Sequence, residues 1–254
     1  MPFTREIDAK QCYPSHSHQE AIARLEFAAQ HRHACMITGE AGMGKTTVVR
    51  SLLHSLNSSR YRYEYICDSG LSPKLFYREV LDRFGVSPAI RSTEVKRQYQ
   101  TLILGLYEQD KKIPILVLDE AHRFSETMLQ ELRFLLNFKE DSMSPLALLL
   151  IGQTSLRTIL KVRHMEAIDQ RIQVRYQMNP MTEPEMRQYI AHQTKVAGSE
   201  LELFSEEAMR AVYLFSLGVP RRVNSLCSQA MLDAYIQKNK IVSEVHVQRA
   251  VNEL

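Results

Sequence analysis

A glycine-rich segment between a short apolar run and a helical pattern constrains the fold of this chain more than any other feature. The segment Gly39–Thr46 reads GEAGMGKT and fits the spacing G-x-x-x-x-G-K-[ST]. The apolar run Ala34–Thr38 precedes it, and the helical pattern Thr46–Asn57 follows it. Glycines let successive backbone N–H groups converge on phosphate oxygens, and the start of the helix presents the positive end of its dipole. The segment therefore predicts a phosphate-binding loop at a strand-to-helix junction.

The side chains of this loop predict ATP and Mg²⁺ as cofactors. We expect Lys45 to hold the β- and γ-phosphates and Thr46 to ligate magnesium. The loop residues predicted to contact the nucleotide are Gly39, Glu40, Ala41, Gly42, Met43, Gly44, Lys45, Thr46 and Thr47. The alternative interpretation is a glycine-rich turn with a solvated lysine.

A second apolar run ends in two acidic residues. Ile115–Leu118 is followed by Asp119 and Glu120, and a buried parallel strand delivers such carboxylates to the sheet edge where ligands bind. We expect Asp119 to bind nucleotide-associated magnesium through its water shell, and Glu120 to orient and polarise the attacking water. Alone, the pair is also compatible with an acidic cap at a helix N-terminus. The phosphate-binding loop upstream favours the catalytic interpretation.

Apolar runs alternate with helical patterns along the first 178 residues. Such continuous runs are typical of strands that helices cover on both faces, and they are Ala34–Thr38, Ile115–Leu118 and Leu146–Ile151, with Tyr61–Ile66 and Ile172–Met178 as weaker candidates. Helical signals between them include Ser72-Pro73 and the apolar stripe Met128, Leu129, Leu132, Leu135 and Leu136. The alternation predicts an α/β fold with a five-stranded parallel sheet flanked by helices.

Strand signals stop after Asn179-Pro180, and helical signals continue. They are the capping box at Thr182–Glu185, a helix cap at Ser205, and an apolar stripe of Val223, Leu226, Cys227, Ala230, Met231 and Ala234. We therefore predict a nucleotide-binding core at residues 1–178 and an all-helical lid at residues 179–254. Lys and Arg exceed Asp and Glu by 24 to 20 in the core but not in the lid, at 8 to 9. A polyanion should therefore prefer the core.

Composition restricts the class of protein further. The four cysteines are far apart, without the spacing of a zinc site, which favours reduced structural thiols. No apolar stretch reaches the length that spans a bilayer, so we expect a cytoplasmic protein without a membrane partner. The sequence Asp119–His122 also spells the box of one helicase group. That group needs two tandem α/β motor domains, and no second strand pattern follows residue 180.

Two further polar residues follow or precede predicted strands. Gln153 comes after the run Leu146–Ile151, where its amide can touch the γ-phosphate or the attacking water; the alternative is a surface turn. Arg171 starts the fifth strand, where an arginine can face the nucleotide of an adjacent subunit. A lone arginine more often makes a surface ion pair, and Arg163 and Arg175 compete for the same role.

A fifth element lies between two lid helices. In Gly218–Arg222, glycine ends one helix and Pro220 starts the next. Arginine in the first turn of a helix is electrostatically unfavourable unless an anion lies nearby. Arg221 is therefore predicted to contact a bound phosphate, with a simple loop arginine as the alternative.

These five elements, in this order and with a helical lid, resemble an AAA+ ATPase with its Walker A, Walker B, sensor 1, arginine finger and sensor 2. Within that superfamily the chain resembles the ExeA/TnsC/MuB-like group, in the segments Pro2–Ile7, Pro14–Ala21, Thr38–Glu40, Ile151–Gln153, Gln170–Ile172 and Gly218–Arg222. The resemblance implies that Gln153 is sensor 1, Arg171 the finger and Arg221 the sensor-2 arginine. Arg222 competes with Arg221, and Gln153 replaces the Asn or Thr of many relatives.

The resemblance also implies a function. We expect an ATP-dependent regulator of transposition that assembles on duplex DNA as a homo-oligomeric ring, hexamer-like, or as a helical filament, and recruits a transposase. Hydrolysis would drive disassembly, and the end of the sequence at Leu254 favours this transposon-encoded branch. Candidate DNA contacts are Arg91, Lys96, Arg97, Lys111 and Lys112, which are otherwise solvated helix faces. The alternatives are an ExeA-like soluble ATPase partner of a secretion or envelope assembly, and a helicase-loader-type ATPase.

Overall fold

The computed structural model describes residues 2–4 and 11–253. The strands are β1 (Ala34–Thr38), β2 (Tyr61–Ile66), β3 (Ile113–Leu118), β4 (Ala147–Gly152) and β5 (Ile172–Gln177). The helices are α1 (His16–His31), α2 (Lys45–Ser55), α3 (Pro73–Arg83), α4 (Ser92–Glu108), α5 (Glu126–Leu135), α6 (Ser155–Leu160), α7 (Glu166–Asp169), α8 (Glu183–Val196), α9 (Glu206–Ser216), α10 (Pro220–Ile236) and α11 (Glu244–Glu253). Half of the segment Pro2–Ile7, used for the group-level resemblance, lies outside the described residues.

The five strands form one parallel sheet in the order β2-β3-β4-β1-β5. Every residue of β1, β3 and β4 is buried, as expected for strands covered on both faces. The predicted α/β fold with a five-stranded parallel sheet is therefore confirmed.

β3 begins two residues earlier than the apolar pattern predicts. The N–H of Ile113 donates to the carbonyl of Arg60 at 2.8 Å, which starts the pairing with β2. Pro114 has no N–H, but it precedes Ile115, where the pairing of β3 with β4 begins. The proline therefore lies at the start of the strand, where it removes no hydrogen bond from the β3–β4 ladder.

The chain divides into two compact units. Residues 21–40 and 48–177 make up the first, which we call the sheet unit. Residues 1–20, 41–47 and 178–254 make up the second, which we call the helical unit. The division into 1–178 and 179–254 inferred from the sequence stays a prediction.

The core of the sheet unit is aromatic and aliphatic. Phe76 of α3 and Tyr99 of α4 are among the largest fully buried side chains, and they pack in the same cluster as the central strands. The predicted stripe of α5 faces this core, with Leu136 only partly buried. Ser72 occupies the predicted cap position of α3, but its side chain accepts no capping hydrogen bond.

The helical unit has a core of its own, built from α8 to α11. Thr182 and Glu185 form the predicted capping box, and the Ser205 hydroxyl accepts the N–H of Ala208 at 3.2 Å. The predicted stripe of α10 is buried, with Met231 partly so. Among the described helices, none combines the length and apolar character needed to cross a bilayer.

Gly218 determines how the chain turns between α9 and α10. α9 ends at Ser216, and its left-handed cap is Leu217 rather than the predicted glycine. Gly218 follows with φ at 71°, and its carbonyl accepts the N–H of Met181 at 3.0 Å. A Cβ at Gly218 would lie 1.9 Å from the carbonyl oxygen of Met181. This approach of two backbones is possible only for glycine.

Candidate nucleotide site

The carboxyl ends of the inner strands bring the predicted polar residues of the sheet unit to one edge. Thr38 pairs with Gly152, and Leu118 pairs with Leu150 on the next strand. The N–H of Gly39 donates to the carbonyl of Gly152 at 3.2 Å. Residues that follow β1, β3 and β4 therefore share the edge where ligands bind in parallel sheets.

Asp119 is fixed at this edge by two donors. The residue is 2% exposed. Oδ2 accepts the hydroxyl of Tyr65 at 2.6 Å, and Oδ1 accepts the N–H of Glu120 at 2.8 Å. Burial and, next, the hydrogen bond to Asp119 raise the pKa of Tyr65, so the phenol stays a donor. Sequence reasoning missed Tyr65, whose only signal is its place near the end of a weak strand.

Glu120 adopts a strained backbone conformation, with φ 54° and ψ 32°. Left-handed backbone costs a residue with a Cβ about 1–2 kcal/mol, and such residues cluster at functional sites. Its side chain is 39% exposed. The carboxylate is therefore accessible to water.

The residues after β4 make contacts that the sequence does not indicate. The backbone N–H of Gln153 donates to Nδ1 of His122 at 3.2 Å, whereas its side-chain amide has no partner among the described residues. The hydroxyl of Thr154 donates to the carboxylate of Glu40. The predicted contact of the Gln153 amide with phosphate or water stays a prediction.

The phosphate-binding loop from residue 41 onward belongs to the helical unit. Gly42 and Gly44 adopt φ of 87° and 84°, conformations that glycine reaches without strain. Lys45 begins α2 and is 7% exposed, whereas the side chain of Thr46 is exposed. Two glycines with positive φ before a helix fit a triphosphate, because loops of this kind present backbone N–H groups and the positive end of the helix dipole to an anion.

The same unit brings Arg221 to this loop. The N–H of Arg221 donates to the carbonyl of Gly42 at 3.2 Å. A Cβ at Gly42 would lie 2.7 Å from the Cβ of Arg221. The side chain of Arg221 is exposed and has no hydrogen-bonding partner within the described chain. These contacts favour Arg221 over Arg222 as the arginine that accompanies the loop.

The comparisons with known proteins agree with this geometry. A protein-family model described as an AAA domain matches residues 28–160, which is slightly more than half of the chain. The matched residues include β1 to β4, the glycine-rich motif and the acidic motif after β3. The chain belongs to the AAA family. It is an ATPase of that family.

One curated relative matches nearly the whole AAA chain. General secretion pathway protein A from Aeromonas hydrophila is 30% identical over 246 residues, which cover 95% of this chain and 44% of that protein. The chain thus spans less than half the length of this relative. The comparisons do not specifically favour the TnsC/MuB side of the resemblance.

Solved structures share the fold of the AAA chain. Cdc6p from Pyrobaculum aerophilum has a TM-score of 0.76 at 17% identity, over 99% of this chain and 70% of that one. The Aeropyrum pernix ORC1 protein, solved in complex with DNA, has a TM-score of 0.64 at 18% identity, over 94% and 65%. The RuvB Holliday junction branch migration motor of Thermotoga maritima has 0.61 at 15%, over 93% and 69%.

The candidate arginine fingers of the AAA chain differ in their partners. Arg171, 27% exposed, forms an ion pair with Asp141 at 2.5 Å. Arg175 pairs with Asp169 at 2.8 Å. Arg163 is exposed, with no ion pair to any described residue. Within a single chain, Arg171 thus makes the surface ion pair that was its alternative interpretation, and a role toward a neighbouring subunit stays a prediction.

The candidate DNA contacts of the AAA chain also differ in the partners of their side chains. Lys96 pairs with Glu131 at 2.5 Å and lies over two aromatic rings, and Arg91 is 3.8 Å from Glu94. Arg97 lines a shallow cavity of about 520 Å³ beside α4. Lys111 and Lys112 precede β3 and form no ion pair with the described residues.

Metal and thiol chemistry add no second site within the part of the chain that the structure describes. Within residues 2–4 and 11–253, no group of three or more His, Cys, Asp or Glu side chains is placed to hold a metal ion. None of the four cysteines, all described, forms a disulfide. Burial raises the pKa of the Cys35 thiol to about 12, which keeps it protonated and unreactive.

Proposed function

We propose that this AAA ATPase hydrolyses ATP with Mg²⁺ as part of a homo-oligomer that serves a secretion or envelope assembly. One observation carries this proposal: the 30% identity to General secretion pathway protein A, which extends over 95% of the chain. The comparisons therefore favour the function that the sequence placed second, ahead of the transposition regulator.

The loop residues of the helical unit would bind the triphosphate. Backbone N–H groups around Gly42 and Gly44 would donate to phosphate oxygens, and Lys45 would add its charge at the β- and γ-phosphates. The backbone N–H of Arg221 donates to the carbonyl of Gly42. Because the side chain starts beside the loop, its free guanidinium would reach the same phosphates. The hydroxyl of Thr46 would ligate magnesium, which neutralises charge on the phosphate oxygens when it is bound.

The carboxylates of the sheet unit would serve the metal and the water. Asp119, held by Tyr65 and by the N–H of Glu120, would accept hydrogen bonds from magnesium-bound water, because a carboxylate oxygen accepts more than one. Glu120, accessible to solvent, would take a hydrogen bond from the attacking water and increase its nucleophilicity. Arg171 of a neighbouring subunit would stabilise the charge that develops on the γ-phosphate.

Assembly follows from the role of Arg171. If a neighbour's guanidinium completes the site, ATP links two subunits, and hydrolysis ends that link. The nucleotide would then determine how long the oligomer engages its partner.

A DNA-directed function, as a transposition regulator that recruits a transposase or as a helicase loader, is the second candidate. The observation in its favour is a group of basic residues at the amino edge of the sheet. Arg60, Lys111 and Lys112 form no ion pair with described residues, and the backbone of Arg60 pairs with that of Ile113. Such a group suits salt-sensitive contacts to phosphates.

The test is a deletion of the gene in its source organism, complemented with wild type and with Lys45→Ala. Two quantities are scored: the fraction of exported proteins that reaches the medium, and the transposition frequency. The proposal expects a loss of export that only the wild type restores. Normal export with a changed transposition frequency would overturn it in favour of the second candidate. Retention of duplex DNA on a filter, with an ATP analogue and over a salt series, tests the DNA interaction directly.

A further inference from the structure

His122 lies in a confined place between Glu120 and the segment after β4, which contains Gln153. It lies in the 3-10 turn Ala121–Arg123, which begins three residues after the end of β3, and it is two residues beyond Glu120. Its side chain is 11% exposed. The ring lies against the end of β4, where a Cβ at Gly152 would come within 3.4 Å of Nδ1 and 3.3 Å of the backbone nitrogen of His122. Gly152 therefore leaves the space that the imidazole fills.

The contact with Gln153 determines which ring nitrogen of His122 carries the proton. The backbone N–H of Gln153 donates to Nδ1 at 3.2 Å. A nitrogen that accepts an N–H has no proton of its own, so the proton of the imidazole is on Nε2. Nε2 faces Oε2 of Glu120 at a separation of 3.6 Å. This separation exceeds a hydrogen bond, but a small rotation of the accessible Glu120 side chain closes it.

We propose that His122 is a positioning residue for Glu120. Its Nε2–H engages one carboxylate oxygen, and the other oxygen is left to accept a hydrogen bond from the attacking water. Its Nδ1 connects this arrangement to the backbone at the end of β4. The inference rests on the role of Glu120 given under Proposed function.

The connection to β4 has a specific consequence for Gln153. The link uses its backbone N–H, which every residue except proline supplies. The segment after β4 thus influences the orientation of Glu120 without any contribution from the Gln153 amide. A shift of this segment when nucleotide changes would move the imidazole and, through it, the carboxylate.

Two isosteric substitutions separate the two contacts of the ring. In His122→Asn, the side-chain oxygen can take the place of Nδ1, but nothing reaches the place of Nε2. In His122→Gln, the amide NH₂ can reach the place of Nε2 and donate to Glu120, but the Nδ1 acceptor is lost. A role limited to packing or to anchoring the turn predicts that Asn rescues and Gln does not. A role toward Glu120 predicts the reverse.

The experiment measures single-turnover hydrolysis, kcat, KM for ATP and Tm of purified His122→Ala, His122→Asn and His122→Gln. We expect Ala and Asn to lower the hydrolysis rate about 10-fold or more, since small misplacements of a catalytic group have effects of this size. KM and calorimetric ATP affinity should change little, and Gln should stay within about threefold of wild type. In a Glu120→Gln background, His122→Ala should add no further loss, because the two residues act as one unit.

Several outcomes would overturn the inference. One is a wild-type rate in His122→Ala, and another is rescue by Asn but not by Gln. If His122→Ala does not fold, the Asn and Gln variants still decide between the two roles. Failure of the proposed function gives different results: wild-type turnover of Glu120→Gln would remove the catalytic role of Glu120 itself, and normal export by the deletion strain would leave the measurements on the purified ATPase unaffected.

Discussion

Asp119 has almost no contact with solvent, and both of its oxygens accept hydrogen bonds from within the sheet unit. A charge in such a place is tolerated when its hydrogen bonds are satisfied. The hydroxyl of Tyr65 supplies one of these bonds from the neighbouring strand and sets the direction of Oδ2. At the scale of single residues, Tyr65 therefore fixes the direction of the carboxylate that we propose for the magnesium site.

Tyr65→Phe removes this donor and keeps the ring. We expect the magnesium concentration for half-maximal ATPase activity to rise about tenfold, a usual effect of losing a group that orients a metal-binding side chain. Binding of ATP without metal should not change. The measurement is a magnesium titration of ATPase activity, with Tyr63→Phe as the control, because Tyr63 is an exposed tyrosine of the same strand. Identical titrations of both variants would contradict the role of Tyr65.

Glu120→Gln keeps the shape of the side chain and removes its basicity. We expect ATP binding to persist and turnover to fall about 100-fold, within the range for loss of a general base. The oligomer formed with ATP should last longer. Turnover is measured by phosphate release and binding by calorimetry. Glu140→Gln is the control, since Glu140 is also exposed and has the same φ of 54°; wild-type turnover of Glu120→Gln would exclude Glu120 from the reaction.

At the scale of elements, the turn between α9 and α10 leaves no space for a single added methyl group at Gly218. Gly218→Ala combines a left-handed backbone with a Cβ that would lie only 1.9 Å from the carbonyl oxygen of Met181. We expect it to lower the free energy of unfolding by about 3 kcal/mol or more. Gly198→Ala has φ of 94° but no atom within 4 Å, so it should cost only about 1 kcal/mol.

Chemical denaturation of the two variants measures this difference. The comparison separates the cost of the left-handed backbone from the cost of the close approach to Met181. Both glycines lie in the helical unit and share the left-handed conformation. Equal losses of stability would show that the backbone at Met181 moves away from the added methyl group without a cost in free energy. The clash that lowers stability in Gly218→Ala would also displace the start of α10, and with it Arg221.

Local patterns predict the elements, and long-range pairs explain what the sequence missed. The strands β1 and β2 agree with their predicted bounds, and the capping box of α8 is present, because each depends on residues a few positions apart. The contacts of Tyr65 with Asp119 and of Gln153 with His122 join residues 54 and 31 positions apart. They follow from the order of strands in the sheet, which no local pattern contains.

At the scale of the whole molecule, the ion pair of Arg171 bears on assembly. Arg171 and Asp141 are both partly exposed, and exposed pairs contribute about 0–1 kcal/mol. A neighbouring nucleotide can therefore recruit the guanidinium at little cost. The pair would hold Arg171 in a defined place in the separate chain and release it in the oligomer.

Mixing two inactive variants tests this role between subunits. Arg171→Ala keeps the phosphate-binding loop, and Lys45→Ala keeps the arginine. In an equimolar mixture, about a quarter of the head-to-tail interfaces join an intact loop to an intact arginine, so ATPase activity should return to about that fraction of wild type. A mixture of Lys45→Ala with Glu120→Gln should stay inactive, because each subunit then lacks a residue for its own nucleotide. Full activity of Arg171→Ala alone would transfer the role to Arg163 or Arg175.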